Sequence, residues 1–170
     1  MMHHPETPLE HILTNSYKAD LVDYINQHPG DFAKLCQLAL SGKQPYSQKA
    51  AWLLWSCMKK NDPRVKKYYH KIINVLPQIP GRQQRELLMV LEKMDLNTKF
   101  VAPLFDTCTA IWQTLNNKPS IRYVALRIMI KIGHRYPDLA NETRLLTGDI
   151  YIDQLSGPVR KSVLRLVQSL

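Results

Sequence analysis

Apolar residues recur in this sequence at the three- and four-residue spacing of an α-helix almost throughout its length. In residues 65–76 the apolar positions follow this period, while the lysines fall on the opposite side of the predicted helix. Residues 101–115 and 121–132 show the same kind of stripe. No segment has the strict apolar and polar alternation that is typical of a strand. The spacing therefore predicts an all-α fold.

Proline, glycine and capping residues divide this pattern into separate helices. Asp62 before Pro63 is typical of a helix start, because the carboxylate can accept a free backbone amide and proline needs no hydrogen bond at the first position. We expect residues 1–16 to be poorly structured and residues 17–170 to form one helical repeat domain. The predicted helices cover residues 17–27, 30–40, 46–60, 63–76, 81–95, 98–116, 119–136, 138–148 and 157–169.

These helices fall into four pairs followed by a single helix. The first helices of the later pairs and the final helix open at Ser47, Gly81, Ser120 and Gly157, at intervals of 34, 39 and 37 residues. One helix pair of this size cannot bury its apolar face alone, so neighbouring pairs must stack.

The pattern resembles the HEAT and armadillo class of α-solenoids from about Tyr17 to Leu170, and residues 120–140 form the clearest unit. That resemblance implies a right-handed α-solenoid of about four helix pairs plus a terminal helix. A compact helical bundle is the structural alternative.

The formal charge of +9 is unevenly distributed along the chain. Residues 41–71 carry eight basic side chains and one acidic side chain, whereas residues 1–40 carry two basic and five acidic ones. A basic block of this kind favours an acidic partner, such as an anionic protein surface, nucleic acid or a lipid headgroup layer. A solvated face that only keeps the protein in solution explains the charge equally well.

No pattern in the sequence is typical of a metal, cofactor or nucleotide site. None of the six histidines forms the i, i+4 pair of a helical zinc site. The chain has three cysteines, an odd number, and Cys36, Cys57 and Cys108 all lie among apolar residues. We therefore predict that they are reduced and lie in the core. We therefore expect no cofactor and no bound metal. An enzyme whose site gathers distant residues is an alternative, with Glu86, His134 and Asp138 as candidates.

HEAT-like helices also occur in DNA alkylation-repair glycosylases, which this chain resembles in its basic charge. In those enzymes an aromatic residue and a carboxylate one turn later face the DNA groove. Here the residues one turn after Trp52, Trp55 and Trp112 are Ser56, Lys59 and Asn116, so the carboxylate is missing and the activity is not expected. Trp52 and Trp55 are predicted to lie in the core or half-buried, and an exposed aromatic platform is the alternative.

The repeat, together with the absence of a reaction centre, predicts a non-catalytic binding or scaffold module for a protein or peptide partner. Binding to a nucleic-acid backbone is the alternative, since phosphate contacts need only lysine and arginine. The second helices of HEAT-like pairs commonly line one side, which implies a shared basic surface. Its predicted residues are Lys66, Lys67, His70, Lys71, Lys99, Arg127, Lys131 and Arg135.

The longest uninterrupted apolar run, Ala50–Trp55, has six residues, where a membrane span needs about 20. The amino terminus has neither the basic nor the apolar block of an export signal. We therefore predict a cytoplasmic protein without a membrane span. The last helix keeps apolar residues to its end, and covering them calls for a partner or a second copy.

Overall fold

The computed structural model describes residues 4–170, which form two compact units, the first ending at Asp95 and the second spanning Leu96–Leu170. These residues contain eleven α-helices and no strand, which confirms the predicted all-α class. None of the helices is both long and apolar enough to span a bilayer. The helices are α1 (Pro8–Asn15), α2 (Lys18–Gln27), α3 (Asp31–Ala39), α4 (Tyr46–Cys57), α5 (Tyr69–Val75), α6 (Gly81–Lys93), α7 (Val101–Gln113), α8 (Pro119–Gly133), α9 (Pro137–Leu145), α10 (Asp149–Ile152) and α11 (Gly157–Gln168).

Every one of the nine predicted helices has a counterpart, in α2–α9 and α11. The largest difference lies in the helix predicted over residues 63–76. There α5 is flanked by the 3₁₀ segments Lys66–Tyr68 and Leu76–Gln78, and residues 63–65 form a turn. A third 3₁₀ segment, Thr98–Phe100, precedes α7 and is capped by the side chain of Asn97, which accepts the Lys99 amide.

Helix α1 lies where the sequence predicted a poorly structured segment over residues 1–16, of which residues 1–3 lie outside the described part of the chain. The helix begins in a capping box, because the Thr7 hydroxyl accepts the Glu10 amide at 3.2 Å and the Glu10 carboxylate accepts the Thr7 amide. Leu9 and Leu13 are buried, and α1 packs against α4. An apolar stripe within only eight residues gives a weak periodic signal in the sequence. The helix owes its stability to packing against α4.

Helix α4 is the centre of the first unit. It packs against α1, α2, α3 and α6, and Ala50, Ala51, Leu53 and Leu54 are all buried. Packing on more than one side explains why Ala50–Trp55 is an uninterrupted apolar run. The packing of α4 on α6 places the first helices of two successive pairs side by side, as the repeat requires.

Two buried glutamines of α6 hold the ends of neighbouring helices in this unit. The Gln83 side chain donates to the carbonyls of Ala39 and Ser41 at 2.8 and 3.1 Å, and its oxygen accepts from Gln44. Gln84 donates to the carbonyl of Leu76, at the end of α5. The last carbonyls of a helix have no partner within the helix, so these bonds satisfy groups that burial would otherwise leave unpaired.

The second unit is organised around α8, which packs against α7, α9 and α11. Arg122 of α8 is 1% exposed, and its guanidinium donates to the carbonyls of Trp112 and Tyr151 at 2.8 and 2.5 Å. It also lies over the Trp112 ring, whose Nε1–H donates to the Leu146 carbonyl at 2.7 Å. Burial lowers the pKa of Arg122. Two side chains thus cap α7, α9 and α10 at their carboxyl ends.

The turn before the first 3₁₀ segment is closed by Asp62, whose carboxylate is 2% exposed. It accepts the backbone amides of Lys59 and Arg64, both at 3.1 Å, and pairs with the Arg64 guanidinium at 2.7 Å. The hydrogen bonds from the Arg64 side chain outweigh the effect of burial and, with the two amides, lower the pKa of Asp62 to about 2. The predicted capping carboxylate therefore closes a turn instead of starting an α-helix.

Replacing Arg122 with methionine is expected to lower the free energy of unfolding by about 2–5 kcal/mol, because one buried and one half-buried carbonyl lose their donors. Arg122→Lys should cost less, since one ammonium can still reach a carbonyl. Urea denaturation followed by circular dichroism measures the effect, with the exposed Arg165→Met in α11 as the control. A loss below about 0.5 kcal/mol for Arg122→Met would contradict this account of the second unit.

Asp62 is expected to make the stability of the protein depend on pH between about 4 and 2. The unfolded state, with an aspartate pKa near 4, binds more protons in this range than the folded state does. Its contribution is therefore complete above about pH 4 and disappears as the pH falls towards 2, a total of about 2 kcal/mol. Asp62→Asn should lack this component when unfolding is measured from pH 5 to 2, and parallel curves for the two proteins would refute the assignment.

Candidate binding surface

The region of densest positive charge in the first unit is the basic segment, residues 59–71. Five of its lysines are exposed, and among residues 4–170 no carboxylate forms an ion pair with any of them. Arg64 is the one cation of the segment that pairs with its own acidic residue, Asp62. The unpaired lysines are Lys59, Lys60, Lys66, Lys67 and Lys71.

The reverse side of this segment is anchored in the core. Val65, Tyr68, Tyr69, Ile72 and Ile73 are each at most 6% exposed. The cations that alternate with them in the sequence therefore point outward, in agreement with the predicted amphipathic pattern. The 3₁₀ segment and α5 together present Lys66, Lys67, His70 and Lys71 as exposed side chains.

A cleft of about 410 Å³ opens beside the basic segment. The Arg64 guanidinium lies 3.6 Å from the centroid of the Phe32 ring, close enough for a cation–π contact. The ammonium of Lys67 is 5.1 Å from the centroid of the Tyr68 ring. The cleft thus combines an apolar floor with a cationic rim. Its lining residues are Pro29, Phe32, Ala33, Pro63, Arg64, Lys66, Lys67 and Tyr68.

Two other clefts have less concentrated positive charge. One, of about 550 Å³, is lined by parts of α1, α2 and α3, and its Lys43 is paired with Glu6 and Glu10. The other, of about 570 Å³, lies between the starts of α8 and α11 and contains a single lysine, Lys118. The cleft beside the basic segment has three cations on its rim, which makes it the candidate site.

The remaining predicted site residues, Lys99, Arg127, Lys131 and Arg135, lie in the second unit. Lys99 is exposed at the 3₁₀ segment before α7, and Arg135 is exposed just beyond the end of α8. Arg127 and Lys131 are half-buried on α8, and the Arg127 guanidinium lies 5.4 Å from the Tyr123 ring centroid. Their part in binding stays a prediction.

Sequence reasoning missed several residues of this surface. Lys59, Lys60 and Arg64 belong to the basic block between residues 41 and 71, so the charge count contained the signal that would have included them. Phe32 and Ala33 lie in the first turn of α3 and Pro29 lies just before it, about thirty residues away from the lysines. Only the packing of the folded chain brings them to the cleft.

Trp52 and Trp55 are both half-buried, as predicted. The ammonium of Lys18 lies 5.4 Å from the Trp52 ring centroid, and that of Lys93 lies 5.5 Å from the Trp55 ring centroid. The Trp55 Nε1–H also donates to the Glu86 carboxylate. These contacts disfavour the alternative of an open aromatic platform, because each indole is partly covered by a cation.

The candidates for an enzymatic site lie in both units, Glu86 in the first and His134 and Asp138 in the second. Glu86 bonds to Trp55 and Arg85, while His134 and Asp138 are exposed. Among residues 4–170, no group of three histidine, cysteine or acidic side chains is placed to hold a metal ion.

The three cysteines are free thiols with little reactivity. Burial raises the pKa of Cys36 to about 12 and that of Cys57 to about 11. Burial likewise raises the pKa of Cys108. The thiolate is the nucleophilic form, so none of the three is activated at neutral pH.

Comparison with known proteins supports the repeat interpretation. The sequence profile of the HEAT repeat domain matches residues 6–170, nearly the whole chain and the range that contains every α-helix described above. Searches of curated proteins and of solved structures give no match. The family is typically non-catalytic, and its members generally mediate protein–protein interaction or scaffolding. With a match of this extent and an all-helical fold, the chain belongs to the HEAT repeat family.

Proposed function

We propose that this protein is a non-catalytic cytoplasmic module that holds an acidic protein or peptide partner on the basic segment. The observation that carries the proposal is the set of five exposed lysines without an ion pair among the described residues, held together on one short stretch of chain. Membership of the HEAT repeat family supports a role in protein binding. The three buried or half-buried free thiols suit a reducing compartment.

The contrast with other charged residues of the first unit strengthens this proposal. Lys34 pairs with Asp31, Lys43 with Glu6 and Glu10, and Arg64 with Asp62. The lysines of the basic segment have no such neutralisation, so their mutual repulsion remains in the free protein. An acidic partner relieves that repulsion and forms attractive contacts at the same time.

A peptide suits this surface better than a single-stranded nucleic acid does. Sequence-tolerant binding of single strands uses exposed aromatic faces on which bases stack. The two aromatic rings of the cleft, Phe32 and Tyr68, are only 2% and 6% exposed, and cations lie over both of them. The surface therefore offers charge without a stacking platform.

The triple variant Lys66→Glu, Lys67→Glu, Lys71→Glu should weaken binding of a fluorescein-labelled twelve-residue Glu/Ser peptide by at least about eightfold. Each reversal removes an attraction and adds a repulsion, and an exposed charge pair is worth about 0.2–1 kcal/mol. Fluorescence anisotropy at 50 mM salt measures the affinity. All three side chains are exposed and lie opposite the buried face, so circular dichroism should show an intact fold.

The matched control is the variant Lys118→Glu, Lys161→Glu, Arg165→Glu, which reverses three exposed cations of the second unit. It changes the formal net charge by the same amount, from +9 to +3, because each reversal subtracts two charges. Binding should fall less than about threefold. Equal losses in both variants would show that only the overall charge attracts the peptide, and would overturn the proposed site.

A salt series separates a peptide partner from a nucleic-acid one. A labelled duplex and a labelled single strand are titrated alongside the peptide from 50 to 200 mM salt. Phosphate binding falls by about 10³ to 10⁵ over this range when six to ten phosphates are neutralised. Nucleic-acid binding that is tighter than peptide binding at 200 mM salt, and is lost in the basic-segment variant, would replace the acidic peptide with nucleic acid as the partner.

A further inference from the structure

We infer that the cleft beside the basic segment takes one apolar side chain of the partner, so that the recognised motif is a hydrophobic residue flanked by acidic ones. This inference rests on the proposed function, because it specifies the kind of acidic peptide that the basic segment holds. It assigns a separate role to residues that carry no charge, above all Ala33 and the two prolines of the cleft.

The first argument is the chemistry of the cleft wall. Pro29, Ala33 and Pro63 present apolar groups towards a space of about 410 Å³, a size within the range of small-ligand sites. Pro29 and Pro63 also have no backbone N–H, so they add no donor that an apolar guest would leave unpaired. The wall therefore favours an aliphatic or aromatic side chain over a polar one.

The second argument is the position of the charges around this wall. Arg64, Lys66 and Lys67 belong to the same lining, so carboxylates adjacent to the apolar residue would lie within reach of cations. Lys66 and Lys67 have no carboxylate partner among the described residues, and their charges are available. An apolar contact surrounded by charge pairs is the usual arrangement of a specific protein interface.

The third argument is that contacts within the protein fix the side chains that frame the cleft. Arg64 is fixed between the Asp62 carboxylate at 2.7 Å and the Phe32 ring at 3.6 Å. Phe32 is buried, and Asp62 also binds two backbone amides of the turn. The side chains that frame the cleft are therefore placed before a partner arrives, which lowers the entropy lost on binding.

Two fluorescein-labelled peptides test the inference by anisotropy on the full chain. One is the Glu/Ser peptide described above, and the other is identical except for one central leucine. The wild-type protein should bind the leucine peptide about tenfold more tightly, which corresponds to partial burial of one leucine side chain. Equal affinities of the wild-type protein for the two peptides would overturn the inference while leaving the proposed function intact.

The decisive variant is Ala33→Arg, which fills the cleft from half-buried Ala33 on α3 and adds positive charge. It should lose the preference for leucine, so that it binds the two peptides with equal affinity. Ala33→Gln, which adds bulk without charge, should also lose the preference and serves if Ala33→Arg does not fold. Retention of the tenfold preference in a folded variant would contradict the inference.

The proposed function fails in a different way from this inference. If the wild-type protein binds neither peptide at 50 mM salt, the basic segment is not a site for acidic peptides and both proposals are wrong. If it binds both peptides and Ala33→Arg changes neither affinity, only the apolar pocket is wrong. The basic-segment variant should lose affinity for both peptides in proportion, because its substitutions leave Ala33 and the prolines in place.

Discussion

The fold depends on how the unpaired backbone carbonyls at its helix ends find hydrogen-bond donors. The α-helices have between four and fifteen residues, so a large share of their backbone lies in terminal turns whose carbonyls have no partner within the helix. Stacking buries several of these ends, and an unpaired buried carbonyl costs about 1–3 kcal/mol. Side chains from neighbouring helices must therefore supply the donors.

The chain meets this constraint at equivalent positions of two successive units of the repeat. Gly81 and Ser120, which the sequence pattern aligns as repeat starts, are 39 residues apart and lie in the first turns of α6 and α8. The buried polar residues Gln83 and Arg122 have the same separation. Gln83 donates to carbonyls at the end of α3, and Arg122 donates to carbonyls of α7 and α10. Although the apolar pattern of the repeat is degenerate, Gln83 and Arg122 thus pair the carbonyls at helix ends in the same way.

The proposed binding surface differs from the interior in the pairing of its charged groups. Inside the first unit and at its edges, Asp62 and Glu10 each have cationic partners and backbone donors. On the basic segment the lysines form no ion pair with a carboxylate among the described residues, although Val65, Tyr68 and Ile72 anchor the segment in the core. Rigid placement of unneutralised charge is useful for recognition, because the partner does not have to order the surface that it binds.

The apolar period and the proline and glycine punctuation were sufficient to predict the helical class, nine of the helices and the outward direction of Lys66, Lys67 and Lys71. Helix α1 was missed because its stability depends on packing against α4, although the capping pair Thr7 and Glu10 was visible in the sequence. The cleft was missed because Phe32 and Arg64 meet only in three dimensions. Local periodicity reports which face of a helix is buried, whereas it does not report which distant residue borders the exposed face.

Mapping the bound peptide on the protein by nuclear magnetic resonance tests the central claim most directly. In a titration of the ¹⁵N-labelled protein with the leucine-containing acidic peptide, the account predicts that the largest amide shifts fall in residues 59–71 and at the start of α3, around Phe32 and Ala33. Shifts centred on the second unit, or of similar small size across all exposed lysines, would contradict it.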